Sequence, residues 1–289
     1  MTSAADKASV LIKALPYLQR FRGKTFLIKM GGSAMDNPDL VREVMRDIVF
    51  LEVAGIRPVI VHGGGKAISA AMEASGLEAK FIGGLRVTSA EAIEIVDRTL
   101  HGEINQGLVK IINEFGGKAT SIHGTSVFAA KQLFGKDESG DMIDIGRVGQ
   151  VSQCIIENIT SALAEELVPV VSPLGRHEDN GETHNINADL AAAALACALK
   201  PAKLVYLSDV PGLLREASDE SSLIESVTGE EAEELIKDGT ISGGMIPKIT
   251  SALEALKSGV EKVHFIDGRT PHTLLLEIFT QSGIGTEIR

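Results

Sequence analysis

Val59-Ile60-Val61-His62-Gly63-Gly64-Gly65-Lys66 carries a β-branched apolar run straight into three glycines. Residues 57–62 read as a strand and a helical pattern begins at 65, so the glycines form the turn between them. Glycine has no Cβ, which lets backbone N–H groups approach a ligand closely. The helix N-terminus behind the turn adds partial positive charge, which suits an anion. Thr25-Phe26-Leu27-Ile28-Lys29-Met30 runs into Gly31-Gly32 in the same way. Two such turns predict a site that holds more than one negatively charged group.

Working outward, short apolar runs alternate with longer helical patterns along most of the chain. Strands are expected at 25–30, 57–62, 119–123, 168–172, 203–208 and 262–266. Helices are expected at 38–54, 65–75, 89–114, 155–166, 187–199, 229–237, 245–258 and 270–281. Continuous apolar strands separated by helices imply an α/β protein with a mainly parallel central sheet and helices on both faces. Ligands in such sheets gather at the carboxyl ends of the strands. Residues 126–151 and 173–186 are polar and Gly-rich and are expected to form β-hairpins or lids. The strand-helix pattern restarts at Lys203, which suggests a lobe boundary near 190–200. Ahead of the first strand, Leu11, Leu15 and Leu18 fall at i, i+4 and i+7, an amphipathic helix with a kink expected at Pro16. That stripe packs either on its own domain or, as an arm, on another subunit.

The 289 residues are 44% hydrophobic and 23% charged, a globular balance. No apolar run is long enough to span a bilayer, and residues 1–7 lack the basic start and apolar core of a signal peptide. A cytoplasmic location without membrane contact is expected. Cys154 and Cys197, each in apolar surroundings, read as buried thiols rather than a disulfide. A net charge of −11, 4% aromatics and no Trp argue against nucleic acid as a partner.

Several familiar motifs fail. Gly23-Lys24-Thr25 resembles the end of a P-loop, but the required glycine at 18 is Leu18. No G-x-G-x-x-G follows a strand, no G-x-S-x-G elbow occurs, and no paired cysteines suit a metal. His177-Glu178-Asp179 to His184 reads as a solvated charged hairpin, so no metal site is expected. What remains is cations and glycines. Lys29 ends an apolar strand, where a buried ammonium needs an anion. Arg86, in Gly83-Gly84-Leu85-Arg86-Val87-Thr88, suits bidentate binding of a carboxylate, or else a structural ion pair. In Asn185-Ile186-Asn187-Ala188-Asp189, Asn187 reads as an N-cap and Asp189 as a first-turn acid; the trio also fits a site that binds an amide or orients lysines. Ser208-Asp209-Val210-Pro211-Gly212-Leu213 is a strand-end turn, and Ile241-Ser242-Gly243-Gly244-Met245-Ile246-Pro247-Lys248 opens a helix with a lysine.

Taken together, these segments closely resemble the amino acid kinase family over essentially the full length. Lys-x-Gly-Gly and Ser-Asp-Val-x-Gly mark the wider family. His-Gly-Gly-Gly, Gly-Leu-Arg-Val-Thr, Asn-x-Asn-Ala-Asp and Gly-Gly-Met-x-x-Lys, in that order, resemble the branch that acts on N-acetyl-L-glutamate. The resemblance implies ATP-dependent phosphorylation of the γ-carboxylate of that substrate, in arginine biosynthesis, with Mg²⁺ carried by the nucleotide. It assigns catalysis to Lys29, Lys248 and Asp189, and substrate binding to Gly64, Gly65, Arg86 and Asn185. It places nucleotide on Gly31, Gly32, Asp209, Val210, Gly212, Leu213, Leu214, Thr240, Ile241 and Ser242. It divides the chain into an interaction helix (1–22), a substrate-binding and dimerisation lobe (23–195) and a nucleotide-binding lobe (196–289). The N-terminal helix resembles that of arginine-inhibited members. This implies L-arginine bound near Tyr17, Arg20, His264, Glu277 and Gly283, in a hexamer built as a trimer of dimers. The rivals are another carboxylate or carbamate kinase of the same fold, such as glutamate 5-kinase, and a catalytically silent nucleotide- or arginine-sensing module. A dinucleotide oxidoreductase is disfavoured by the missing fingerprint.

Overall fold

The computed structural model describes residues 4–136, 139–216, 218–280 and 283–289. Helix α1 (Ala4–Phe21) leads into β1 (Thr25–Met30), α2 (Pro38–Val53), β2 (Arg57–His62) and α3 (Gly65–Ala74). A small hairpin, β3 (Phe81–Ile82) and β4 (Leu85–Arg86), precedes α4 (Ala92–Asp97), a π-helical segment Arg98–Asn105, and α5 (Gln106–Glu114). Then come β5 (Ala119–Ile122), β6 (Phe128–Lys136), β7 (Met142–Cys154), α6 (Glu157–Ala164), β8 (Val168–Val171), β9 (Leu174–His177) and β10 (Thr183–Ile186). The remainder comprises α7 (Ala188–Leu199), β11 (Lys203–Ser208), β12 (Ser226–Val227), α8 (Gly229–Lys237), α9 (Met245–Lys257), β13 (Lys262–Asp267), α10 (Thr273–Phe279) and β14 (Thr286–Ile288).

The main sheet runs β12-β14-β13-β11-β1-β2-β8-β5, with β13–β14 as its antiparallel pairing. Strand alternation explains why both faces are apolar. Leu27, Val59, Val61, Leu204, Tyr206, Val263 and Phe265 face the layer containing α7 and α9. Phe26, Ile28, Met30, Ile60, Val205, Leu207 and Ile266 face the layer containing α2, α5 and α10. A strand covered on both sides has no polar face to alternate with, so the sequence shows an unbroken apolar run. The expected mainly parallel sheet with helices on both faces is the observed one.

Several expectations need correction. The helix expected over 89–114 is three segments, because the π-helical stretch at Arg98–Asn105 widens the helix in the middle. The helix expected at 270–281 spans only Thr273–Phe279, since His272 takes a left-handed conformation (φ 58°) just ahead of it. The polar regions form hairpins, as read, but they close on each other rather than standing as lids. β10-β7-β6-β9 make a small closed barrel, with register shifts in the β6–β7 ladder. Strands β3, β4, β12 and β14, two or three residues each, went unread. Pro16 sits inside α1, which remains helical on both sides of it. The two cysteines are free thiols, half-buried; burial pushes the Cys154 thiol up to about 12. No helix among the described residues is long and apolar enough to cross a membrane.

Candidate active site

Lys29, at the buried carboxyl end of β1, sets the centre of the site. An ammonium that is only 7% exposed needs a counter-charge, and Asp189 supplies it from the first turn of α7, 2.7 Å from Lys29 Nζ. The turn is held in place because the Asn187 side chain caps α7, accepting from the backbone N–H groups of Asp189 (2.9 Å) and Leu190 (3.2 Å). The second carboxylate oxygen lies 3.8 Å from Lys248 Nζ, which projects from the opening turn of α9. Asp189 Oδ1 is buried without an aligned hydrogen bond, so the Lys29 contact is one of charge. A Cβ at Gly31 would run into the Lys29 ammonium, so a side chain there would displace the lysine from Asp189.

Lys29, Gly31, Gly32, Gly64, Gly65, Arg86, Asn185 and Asp189 line one cavity of about 230 Å³, which puts all four expected substrate-side residues beside two of the three expected catalytic ones. Gly65 opens α3, and no described acceptor meets the N–H of Gly64 or Gly65. A Cβ on Gly64 would lie 2.5 Å from Ile104 Cδ1 and 2.9 Å from Leu100 Cδ2, both in the π-helical segment. Arg86 is buried, and burial works against its charge. Its Nη2 donates to Gly65 O (2.7 Å) and Ser69 Oγ (2.8 Å), and its guanidinium packs 4.6 Å from the Phe81 ring centre. Among the described residues no carboxylate pairs with it. Of the two sequence alternatives, the structural ion pair is thus not the one found. Asn185, the penultimate residue of β10, has its Nδ2 3.4 Å from Thr88 Oγ1, and Thr88 donates to Arg86 O (2.9 Å), linking the two substrate-side groups.

A larger cavity of about 700 Å³ adjoins the first, sharing Gly32, Gly64, Gly65, Phe81 and Arg86 and adding Asp36, Lys66 and Asp209. Gly32 has φ +64°, and a Cβ there would come within 3.3 Å of Asp209. The remaining expected nucleotide residues, Val210, Gly212, Leu213, Leu214, Thr240, Ile241 and Ser242, line neither cavity. The side chains of Leu213 and Ile241 are buried in the core, so those positions offer a ligand only their backbone. Among the described residues no group of three or more His, Cys, Asp or Glu side chains is arranged to hold a metal ion.

Sequence reasoning missed a polar chain beneath the glycine turn. His62, the last residue of β2, is fully buried; its Nδ1 lies 2.9 Å from Gly63 O and its Nε2 3.2 Å from Asn105 Nδ2. Asn105 also donates to Val170 O (2.9 Å) and accepts from Ser121 Oγ (2.6 Å). Burial pulls His62 down to about 4, so the ring is neutral. Ser69 and Phe81, which flank Arg86, were missed as well. The signal available for Ser69 was its spacing of four from Gly65 on a helix face.

Tyr17, Arg20, His264, Glu277 and Gly283 also come together, around a separate cavity of about 440 Å³ between α1 and the amino ends of β11 and β13. Glu277 accepts from His264 Nδ1 (2.6 Å) and from the N–H groups of Ile284 (2.7 Å) and Gly285 (3.1 Å). Burial opposes its charge, but these donors hold it below the usual carboxylate range. Lys203 Nζ lies 2.7 Å from His264 Nε2, and burial brings that lysine down to about 8.

The sequence profile of the amino acid kinase family matches residues 24–267. The acetylglutamate kinase of Akkermansia muciniphila is 62% identical over 288 residues, covering 100% of this chain and 97% of that protein. The acetylglutamate kinase of Heliobacterium modesticaldum is 46% identical over 295 residues, covering 100% and 99%. Among solved structures, N-acetylglutamate synthase from Neisseria gonorrhoeae, complexed with coenzyme A and N-acetyl-glutamate, superposes with a TM-score of 0.84 at 26% identity over 97% of this chain. This chain spans 63% of the synthase chain. A carbamate kinase from Giardia, at 17% identity and TM-score 0.65 over 92% of this chain and 98% of its own, shares the fold. The chain belongs to the amino acid kinase family and is a kinase.

Proposed function

We propose that this kinase transfers the γ-phosphoryl group of ATP to the γ-carboxylate of N-acetyl-L-glutamate. A carboxylate oxygen forms the new P–O bond while the bond to the β-phosphate oxygen breaks, giving an acyl phosphate and ADP. The observation that carries this is Asp189 set between Lys29 (2.7 Å) and Lys248 (3.8 Å) beside the glycine turn. The nucleophile is already ionised, so no general base is needed; catalysis reduces to alignment and charge neutralisation on phosphate oxygens. In this reading Lys29 and Lys248 stabilise the group in flight and Asp189 orients them. Gly64 and Gly65 N–H groups meet the reacting end, Arg86 takes the α-carboxylate with the N–H groups that Gly65 O and Ser69 Oγ do not hold, and Asn185 takes the acetamido group. Nucleotide lies along Gly31, Gly32, Asp209 to Leu214 and Thr240 to Ser242, with magnesium held by its phosphates. Residues 23–195 then serve the acceptor and 196–289 the nucleotide. One sheet runs through both, since β1 pairs with β11.

The same proposal includes feedback inhibition by L-arginine at the cavity of Tyr17, Arg20, His264, Glu277 and Gly283. The acid Glu277 and the adjoining backbone suit a guanidinium or ammonium group. α1 exposes Val10, Leu11, Ile12 and Leu15, an apolar stripe that suits burial against a second copy in a hexamer. An ADP-coupled assay with acetylglutamate and with free glutamate, each with and without arginine, tests the whole. Equal turnover of glutamate would point to the glutamate 5-kinase alternative, and no turnover of either would overturn the assignment.

A further inference from the structure

We infer that His62 is a positioning residue that locks the Gly63–Gly64 peptide plane and so aims the Gly64 N–H at the reacting group. Val170 O can only accept, so the Asn105 atom 2.9 Å from it is the amide nitrogen. That amide nitrogen can only donate, so His62 Nε2, 3.2 Å away, must accept. The ring proton therefore sits on Nδ1 and is donated to Gly63 O at 2.9 Å. A peptide unit is planar and trans, so a fixed Gly63 carbonyl fixes the Gly64 N–H in the opposite direction. That direction leads away from the buried ring, and no described acceptor meets this N–H, which leaves it to the cavity that Gly64 lines.

Such a lock is needed here because two adjacent glycines let the intervening peptide rotate with little steric penalty. The other side of Gly63 is already pinned, its N–H donating to Met30 O at 2.7 Å. His62 pins the remaining half. The same segment that supplies Asn105 also supplies Leu100 and Ile104, which pack where a Gly64 side chain would stand. The π-helical distortion thus has a local purpose: it presents the amide and both apolar side chains to one turn. The ring is not a general base, since both nitrogens are occupied and it lies wholly out of solvent.

The lock rests on the assignment of phosphoryl transfer to this cavity, which wild-type turnover of acetylglutamate tests separately. The ring tautomer does not depend on that turnover. Imidazole ¹⁵N shifts of the wild-type protein should show a neutral ring with the proton on Nδ1; an Nε2–H ring, or a charged one, overturns the inference. Two substitutions supply the kinetic half. The Asn side chain places an N–H near ring Nδ1, and the Gln side chain places its amide near ring Nε2. His62→Asn keeps a donor for Gly63 O, whereas His62→Gln keeps only the contact with Asn105. Steady-state kinetics should show kcat lower in His62→Gln than in His62→Asn by about tenfold or more, less than the 10²–10³ lost when a preorganised donor is removed outright. KM for both substrates should differ little between the two. Equal kcat in the two variants, or a loss confined to KM, overturns the lock.

Discussion

Asp189→Asn is the sharpest perturbation of the proposed site, because it removes a charge and almost no volume. The backbone of residue 189 is held by the Asn187 cap, so α7 should start where it does now. What changes is the grip on two lysines. Asp189 offers one oxygen to Lys29 at 2.7 Å and the other to Lys248 at 3.8 Å. An asparagine has one oxygen; its amide nitrogen, turned to either ammonium, repels it. One lysine must therefore lose its position. Losing one preorganised group at the developing charge typically costs about 2.7–4 kcal/mol, or 10²–10³ in turnover. The freed lysine is the more exposed Lys248, since the shorter contact to buried Lys29 is the harder to give up. The assay is ADP release with both substrates saturating, repeated over a range of each to separate kcat from KM. We expect kcat to fall by on the order of 10²–10³, KM for each substrate to stay within about threefold, and the protein to remain folded by circular dichroism. A kcat within about tenfold of wild type would refute the role given to Asp189, and so would a loss carried by KM.

Arg86→Met keeps the apolar packing against Phe81 but removes the fork; KM for acetylglutamate should rise at least about tenfold with kcat changed far less, and an unchanged KM removes Arg86 from the substrate site. His62 makes stability pH-dependent with a definite sign. Its folded value, about 4, lies below the ordinary 6.5 because burial disfavours the charged ring. The unfolded chain therefore takes up a proton first as pH falls. Stability from this group is complete above 6.5 and drops by about 1.4 kcal/mol per unit below it, or about 2 kcal/mol by pH 5. Chemical denaturation should show a shallower acid slope in His62→Asn, and identical slopes would contradict the buried neutral ring. Deleting residues 1–20 removes Tyr17 and Arg20 from the second cavity and the exposed stripe with them. We expect an active dimer that arginine inhibits poorly, and a truncated protein that still sediments as a hexamer would exclude the linking role of α1.

The central strands were legible because burial on both faces leaves an unbroken apolar run; residues 25–30, 57–62 and 203–208 are strands with those bounds. Strands of two or three residues, such as β12 and β14, carry no period of their own and exist because a neighbour offers a free edge. The π-helical segment escaped for a related reason: apolar residues continue through Leu100, Ile104 and Leu108, and the phase change within them is too slight to read as a break. Within the site, Lys29, Arg86, Asp189 and Lys248 stand in motifs, and their grouping follows from strand ends meeting. His62 stands in the His-Gly-Gly-Gly motif, but it and Asn105 bond mainly to backbone carbonyls or to each other, so no pattern of residue types announces their role. The turns after β11 and before α9 were legible, whereas the inward direction of Leu213 and Ile241 was not.

Strand β11 has one end in each of the two cavity regions. Lys203, its first residue, faces the cavity under α1, and Asp209 follows its last residue beside Gly32. At about 3.3 Å per residue the strand is about 17 Å long. It is hydrogen-bonded along its length to β13 on one side and β1 on the other. A ribbon hydrogen-bonded on both edges is stiff, and Lys29 is registered opposite Tyr206 on the adjoining strand, so one rigid segment joins the two cavity regions.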